Sequence, residues 1–148
     1  MILAEITITY KPTQKTIDMA KITCSRDSYN ILLSNWGDNL EYIEEFKILL
    51  LNRANKILGI ATVGVGGVAG VMVDPKLIFQ KALLSNASAI ILAHNHPSGN
   101  LQPSQGDLTV TKKIINGSVF LDIDILDHLI VTPYGYYSFA DEGMLNSF

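Results

Sequence analysis

Cysteine is nearly absent from this sequence: Cys24 is the only one in 148 residues. That excludes an intrachain disulfide and a Cys-rich zinc finger, and it excludes a nucleobase deaminase, whose H-x-E and P-C-x-x-C signature is missing. Basic residues are also scarce, with 11 Lys and Arg against 14 Asp and Glu, a net charge of −3 and no long Lys/Arg run. Such a chain has no general attraction for polyanions, and nucleic-acid binding would require a local basic patch. The longest apolar stretch, Ile60 to Val73, is interrupted by Gly64, Gly66, Gly67 and Gly70. It falls short of the roughly 20 residues of a membrane span and reads as buried strand and turn, with no membrane partner. The first residues, Met1 to Thr7, alternate and carry no basic segment, apolar core or small-residue cleavage site, so a cytoplasmic protein is expected.

What is present is a globular composition, 48% hydrophobic and 17% charged. A chain of this length suits one domain, 1–148, and buries about 68–70% of its extended surface. Ile2, Ile6, Ile8 and Tyr10 alternate with Glu5, Thr7 and Thr9, which predicts an edge strand over Ile2 to Tyr10. Ser25 is a candidate cap for a helix reaching about Trp36, with Trp36 read as core. Strands are expected over Glu44 to Asn52 and from Ile57 to about Val65, joined as a hairpin through Arg53-Ala54-Asn55-Lys56. The glycines after it lack a GKS or GKT sequence and read as turn, bulge or close backbone approach rather than a phosphate loop. Asp74-Pro75 is an N-cap and first-turn pair for a helix to about Ser85. Ala87 to Ala93 is an apolar run of strand length, followed by a polar loop and a helix from near Ser104 to Asn116-Gly117. Ile123 to Thr132, a turn at Pro133-Tyr134-Gly135, and Tyr136 to Phe139 complete the chain as strand, turn and strand. Strands alternating with helices, without repeat or linker, predict a single mixed sheet flanked by helices, an α/β domain.

The segment that carries chemistry is His94-Asn95-His96-Pro97, which follows the apolar strand, and Ser104 to Asp107, which opens the next helix. Two residues apart on extended backbone, His94 and His96 project to the same side, where both imidazoles can meet one ion while Asn95 points away. Asp107, in the first helical turn, can supply a third ligand, leaving a position open for water. Each part also has a plainer meaning. A His-Asn-His turn can simply bond local backbone, and S-x-x-D is more often a capping box without any metal.

Taken together, these residues resemble the JAMM/MPN metalloprotease pattern E…H-x-H-P-x(6)-S-x-x-D, every core element of which is present at that spacing. The preceding Asn86 to Ala93, the Pro97-Ser98-Gly99 that follows the histidines, and the later Leu126-Asp127-His128-Leu129-Ile130-Val131 resemble the RadC branch over about 44–138. The resemblance implies a JAB/MPN-like fold of cytidine-deaminase-like architecture. It also implies one zinc ion per chain on His94, His96 and Asp107. Full-length RadC proteins carry a helix-hairpin-helix region ahead of this domain, and residues 1–43 lack room for both that and the first strand. The compact segments between Glu44 and His94 likewise argue against transferring the specificity of ubiquitin-processing relatives.

The upstream glutamate of the pattern has candidates in Glu41, Glu44 and Glu45; an E-x-F match selects Glu44 as general base, with Glu45 second. The implied reaction is hydrolysis of a peptide or isopeptide bond by a metal-activated water, with Ser104 donating to the developing oxyanion. His128, in an apolar strand, reads as a hydrogen-bonded structural histidine, since a fourth protein ligand would close the site to water. Two other readings stand beside the hydrolase: a DNA-associated protein, and a metal-binding interaction module without turnover. The adjacent His94-Asn95-His96 is not the HNH nuclease motif, whose three named residues are dispersed.

Overall fold

The computed structural model describes residues 2–66 and 73–148. Five strands, β1 (Glu45–Leu51), β2 (Ile57–Val65), β3 (Ala89–Asn95), β4 (Asp124–Thr132) and β5 (Gly135–Ser138), form one sheet in the order β2-β1-β3-β4-β5. Three helices accompany it: α1 (Ser25–Ser34), α2 (Pro75–Leu84) and α3 (Gln105–Val119). β1 runs antiparallel to both β2 and β3, β3 and β4 are parallel, and β5 returns antiparallel on β4. The expected mixed α/β architecture is present. Among the described residues no helix is long and apolar enough to cross a membrane.

Strand alternation divides the core between the two faces of the sheet. Leu49, Leu51, Ile91, Leu129 and Val131 pack with Tyr29, Leu32 and Trp36 on the α1 side. Ile48, Leu50, Ile90 and Leu92 pack with Ile78, Ala82 and Ile114 on the side of α2 and α3. β1 and β3 are buried along their whole length, as strands covered on both faces must be.

Several expected boundaries move. Residues 2–10 form no strand; Ile2 and Ile6 are 100% and 83% exposed despite their alternation. Ser25 is the first helical residue rather than the cap, and α1 ends at Ser34, although Trp36 is buried in the core as expected. β3 starts two residues later than Ala87 and runs through His94 and Asn95, which pair with β4 at Ile130 and Val131. α3 passes through Asn116-Gly117 and stops at Val119. Gly117 is not a terminator: a Cβ there would sit 3.0 Å from the Phe79 ring, so glycine lets α3 approach α2. Gly64 pairs with Phe46 beside a register shift, a bulge of the kind expected, while Gly67 and Gly70 lie outside the described residues. The Asp74-Pro75 start of α2 is as read, with the Asp74 carboxylate accepting from Lys76 N at 2.9 Å.

Candidate metal centre

His94 lies near the C-terminal end of β3, where open α/β sheets commonly bind ligands, and the chain leaves the strand through His96. Both imidazoles reach the α3 side of the sheet. His94 Nε2 lies 3.0 Å from His96 Nε2 and 3.2 Å from Asp107 Oδ1, and His96 Nε2 lies 3.5 Å from Asp107 Oδ2. Glu44, just ahead of β1, joins them: one ligand atom from each of Glu44, His94, His96 and Asp107 lies within 4.8 Å of all the others.

The capping box expected of Ser104 and Asp107 is present, and Asp107 also joins the cluster. Ser104 Oγ accepts from Asp107 N at 3.1 Å, and Ser104 N donates to Asp107 Oδ2 at 2.7 Å. This box fixes the carboxylate so that Oδ1 faces His94. It occupies a lone pair of the Ser104 hydroxyl and leaves its proton free to donate. Ser104, Glu44, His96, Tyr42, Pro97 and Pro103 line an open cleft of ≈ 640 Å³ beside the cluster.

The two glutamates that the sequence left as alternatives separate by face. Glu45 points to the α1 side, where Asn39 Nδ2 donates to Oε1 at 2.9 Å and Lys47 Nζ forms an ion pair with Oε2 at 3.1 Å. Only Glu44 faces the histidines, and its backbone is held from both sides. Gly66 N donates to its carbonyl at 2.8 Å, and Asn95, which does point away from the cluster, grips the loop ahead of β1. Glu41 is engaged elsewhere, accepting from the Tyr134 hydroxyl at 2.9 Å.

Charge follows from these contacts. Burial alone would raise the Asp107 carboxyl, but the close contacts with His94 and His96, together with the Ser104 amide, outweigh it and hold the group below the usual carboxylate range. Burial opposes a proton on His96, yet the Asp107 carboxylate, the Asn100 carbonyl and Glu44 together raise its pKa. His96 Nδ1 abuts the Asn100 carbonyl, which only accepts, so Nδ1 carries a proton and Nε2 of the neutral ring is a lone pair. A lone pair and an ionised carboxylate brought this close are the donor types that cations take, and these residues could hold a metal ion.

His128 is the buried, hydrogen-bonded histidine that the sequence suggested, but sequence reasoning missed its partners, His94 and Thr111. His94 Nδ1 meets His128 Nε2 at 2.8 Å, and His128 Nδ1 meets Thr111 Oγ1 at 2.6 Å. His128 is wholly buried; burial first, and then its neighbour His94, push its pKa well below the ordinary histidine value. Thr111 stands four residues after Asp107 on α3, a helical spacing that places the two on one face, and this was the available signal.

A family model described as a RadC-like JAB domain matches residues 22–144. The chain belongs to the RadC-like JAB domain family. The match begins at Ile22, so this RadC-like domain includes α1 as well as the sheet and the cluster. It is 47% identical over 128 residues to a UPF0758 protein of Flavobacterium johnsoniae, covering 86% of this chain and 55% of that protein. A UPF0758 protein of Porphyromonas gingivalis is 41% identical over 135 residues, covering 90% of this chain and 59% of the relative. The UPF0758 protein YfjY of Escherichia coli is 43% identical over 102 residues, with coverages of 69% and 64%. The chain thus spans between 55% and 64% of the length of these relatives.

Proposed function

We propose that this RadC-like domain is a zinc-dependent hydrolase of peptide or isopeptide bonds, with His94, His96 and Asp107 as zinc ligands, Glu44 as general base and Ser104 as oxyanion donor. The observation that carries the reading is the placement of a second carboxylate, Glu44, beside His94, His96 and Asp107 and on the wall of an open cleft. The donor spacings around His94 Nε2, 3.0 Å to His96 Nε2 and 3.2 Å to Asp107 Oδ1, suit zinc. Zinc–nitrogen bonds of about 2.0–2.1 Å give tetrahedral edges of about 3.3 Å. When bound, zinc acidifies water and polarises a carbonyl oxygen.

The chain's own residues supply the rest. Glu44 takes one proton from water at the cluster and returns it to the departing amine, while the second proton of that water stays on the new carboxyl group and leaves as it ionises. The Ser104 hydroxyl, its lone pair engaged by the Asp107 amide, donates to the oxygen that gains charge. Asp107 stays ionised through its contacts with the two histidines, and Tyr42 and Pro103 line the open cleft beside them.

A library of peptides and isopeptide-linked peptides, screened with zinc-loaded wild type and Glu44→Gln, tests the reading. Wild type should cleave a member, and Glu44→Gln should retain zinc while losing about 10²–10⁴-fold in rate, the size of a general-base contribution. Undiminished cleavage by Glu44→Gln, or cleavage by wild type that persists after complete metal removal, would refute it. Zinc binding with no cleavage of any library member would favour an interaction module.

A further inference from the structure

Thr111 on α3, His128 on β4 and His94 on β3 stand in a line across three elements, each at most 1% exposed. With no solvent to satisfy them, their polar atoms must satisfy one another. The line begins at the backbone carbonyl of Asp107, which lies within hydrogen-bond distance of Thr111 Oγ1. It continues from Thr111 Oγ1 to His128 Nδ1 at 2.6 Å and from His128 Nε2 to His94 Nδ1 at 2.8 Å. It ends at His94 Nε2, which faces the Asp107 carboxylate at 3.2 Å.

Proton counting gives the line a direction. A threonine hydroxyl has one proton, and a carbonyl oxygen has only lone pairs. The hydroxyl therefore donates to the Asp107 carbonyl, since the opposite choice would press two lone pairs together in a buried site. His128 Nδ1 must then be the donor to Thr111 Oγ1. In the neutral ring that leaves His128 Nε2 as an acceptor, so the 2.8 Å contact requires a proton on His94 Nδ1. The neutral His94 ring then has no proton on Nε2.

We propose that Thr111 and His128 form a relay that keeps the proton of His94 on Nδ1 and leaves its Nε2 lone pair facing His96 and Asp107. The relay deepens the metal-site reading above and rests on it for its purpose, although the tautomer is a property of the metal-free chain. Both are positioning residues: neither reaches the cleft, and each acts through His94. The rings are also held in plane, with His128 stacked on Phe139 at a centroid distance of 4.7 Å and 16°, and His94 parallel to Phe46 within 4°. The opposite tautomer would put a proton on the atom meant to bind the ion, and it would have to be removed before coordination.

Long-range 1H–15N correlation spectra of metal-free, 15N-labelled wild type near neutral pH read the tautomers directly. Both His94 and His128 should carry the proton on Nδ1. Thr111→Val, which removes the hydroxyl at nearly constant volume, should lose the single tautomer at both rings and weaken zinc binding about 10–100-fold, the usual cost of removing such support. Thr111→Ser should restore both. A proton on His94 Nε2 in wild type would overturn the relay, as would a Thr111→Val protein that changes only in melting temperature. If Thr111→Val does not fold, the wild-type spectrum and the serine variant still decide. Wild type that shows the expected tautomers yet takes up no zinc would leave the relay standing and remove the hydrolase reading instead.

Discussion

Asn95 Oδ1 accepts the backbone N–H of Glu45 at 2.7 Å, tying the middle residue of the His-Asn-His segment to the residue after Glu44. The same carboxamide donates through Nδ2 to the carbonyls of Leu40 and Ile43 at 2.8 and 2.9 Å. The residue that points away from the cluster thus holds the loop that delivers the proposed base. Asn95→Asp keeps the acceptor, removes both donors and turns a carboxylate toward carbonyls in a fully buried place. Each buried group left unsatisfied costs about 1–3 kcal/mol, so a loss of at least about 2 kcal/mol is expected in urea unfolding. Amide exchange should rise at Ile43 to Glu45 more than in the rest of β1. Native stability with native exchange in that loop would remove this role from Asn95.

Asp74 caps α2 through Lys76 N. Asp74→Ala should cost about 1 kcal/mol, whereas Asp74→Asn, an equally good cap, should change stability by only a few tenths of a kcal/mol. Equal losses in the two variants, measured by urea midpoint at constant slope, would show that the cap is not the source of the effect.

His128 makes the metal-free chain sensitive to acid. Its folded pKa is depressed by burial and by His94, so it resists a proton that the unfolded chain accepts near the ordinary histidine value. Its contribution is therefore complete above about pH 6.5 and is lost as pH falls, by up to about 1.4 kcal/mol per pH unit. His96, with its raised pKa, has the opposite sign and stabilises below that pH. The His128 part is isolated as the stability difference between wild type and His128→Phe, both stripped of metal, across pH 7.5, 6.5 and 5.5. That difference should shift against wild type below about pH 6.5; a constant difference would contradict the assignment.

The parts of this fold that were legible in the sequence are those dictated by neighbouring residues. Asp74-Pro75 starts a helix by local chemistry, Arg53 to Lys56 turns a hairpin, and His94, His96 and Asp107 are joined by short chain. What was misread depends on partners distant in sequence. The alternation of Ile2 to Tyr10 is genuine but joins no sheet, since a period of two does not by itself secure pairing, and Gly117 resembled a helix end although it stands against Phe79 of α2. The choice between Glu44 and Glu45 required knowing which face of β1 meets His94, a fact supplied by the pairing of Phe46 with His94. Thr111 and His128 are 17 residues apart and meet only because α3 packs over β4 beside β3.

The central claim is that His94, His96 and Asp107 hold one metal ion, and metal content measures it most directly. Wild type should be purified without chelator or added metal, analysed for zinc, then stripped, reconstituted at neutral pH and analysed again beside His96→Ala. The account predicts close to one equivalent of zinc per wild-type chain and loss of stoichiometric binding in a folded His96→Ala, because two remaining ligands hold the ion poorly. Wild type that carries no zinc and cannot be reconstituted near one equivalent, or a His96→Ala protein that binds zinc as wild type does, would contradict it.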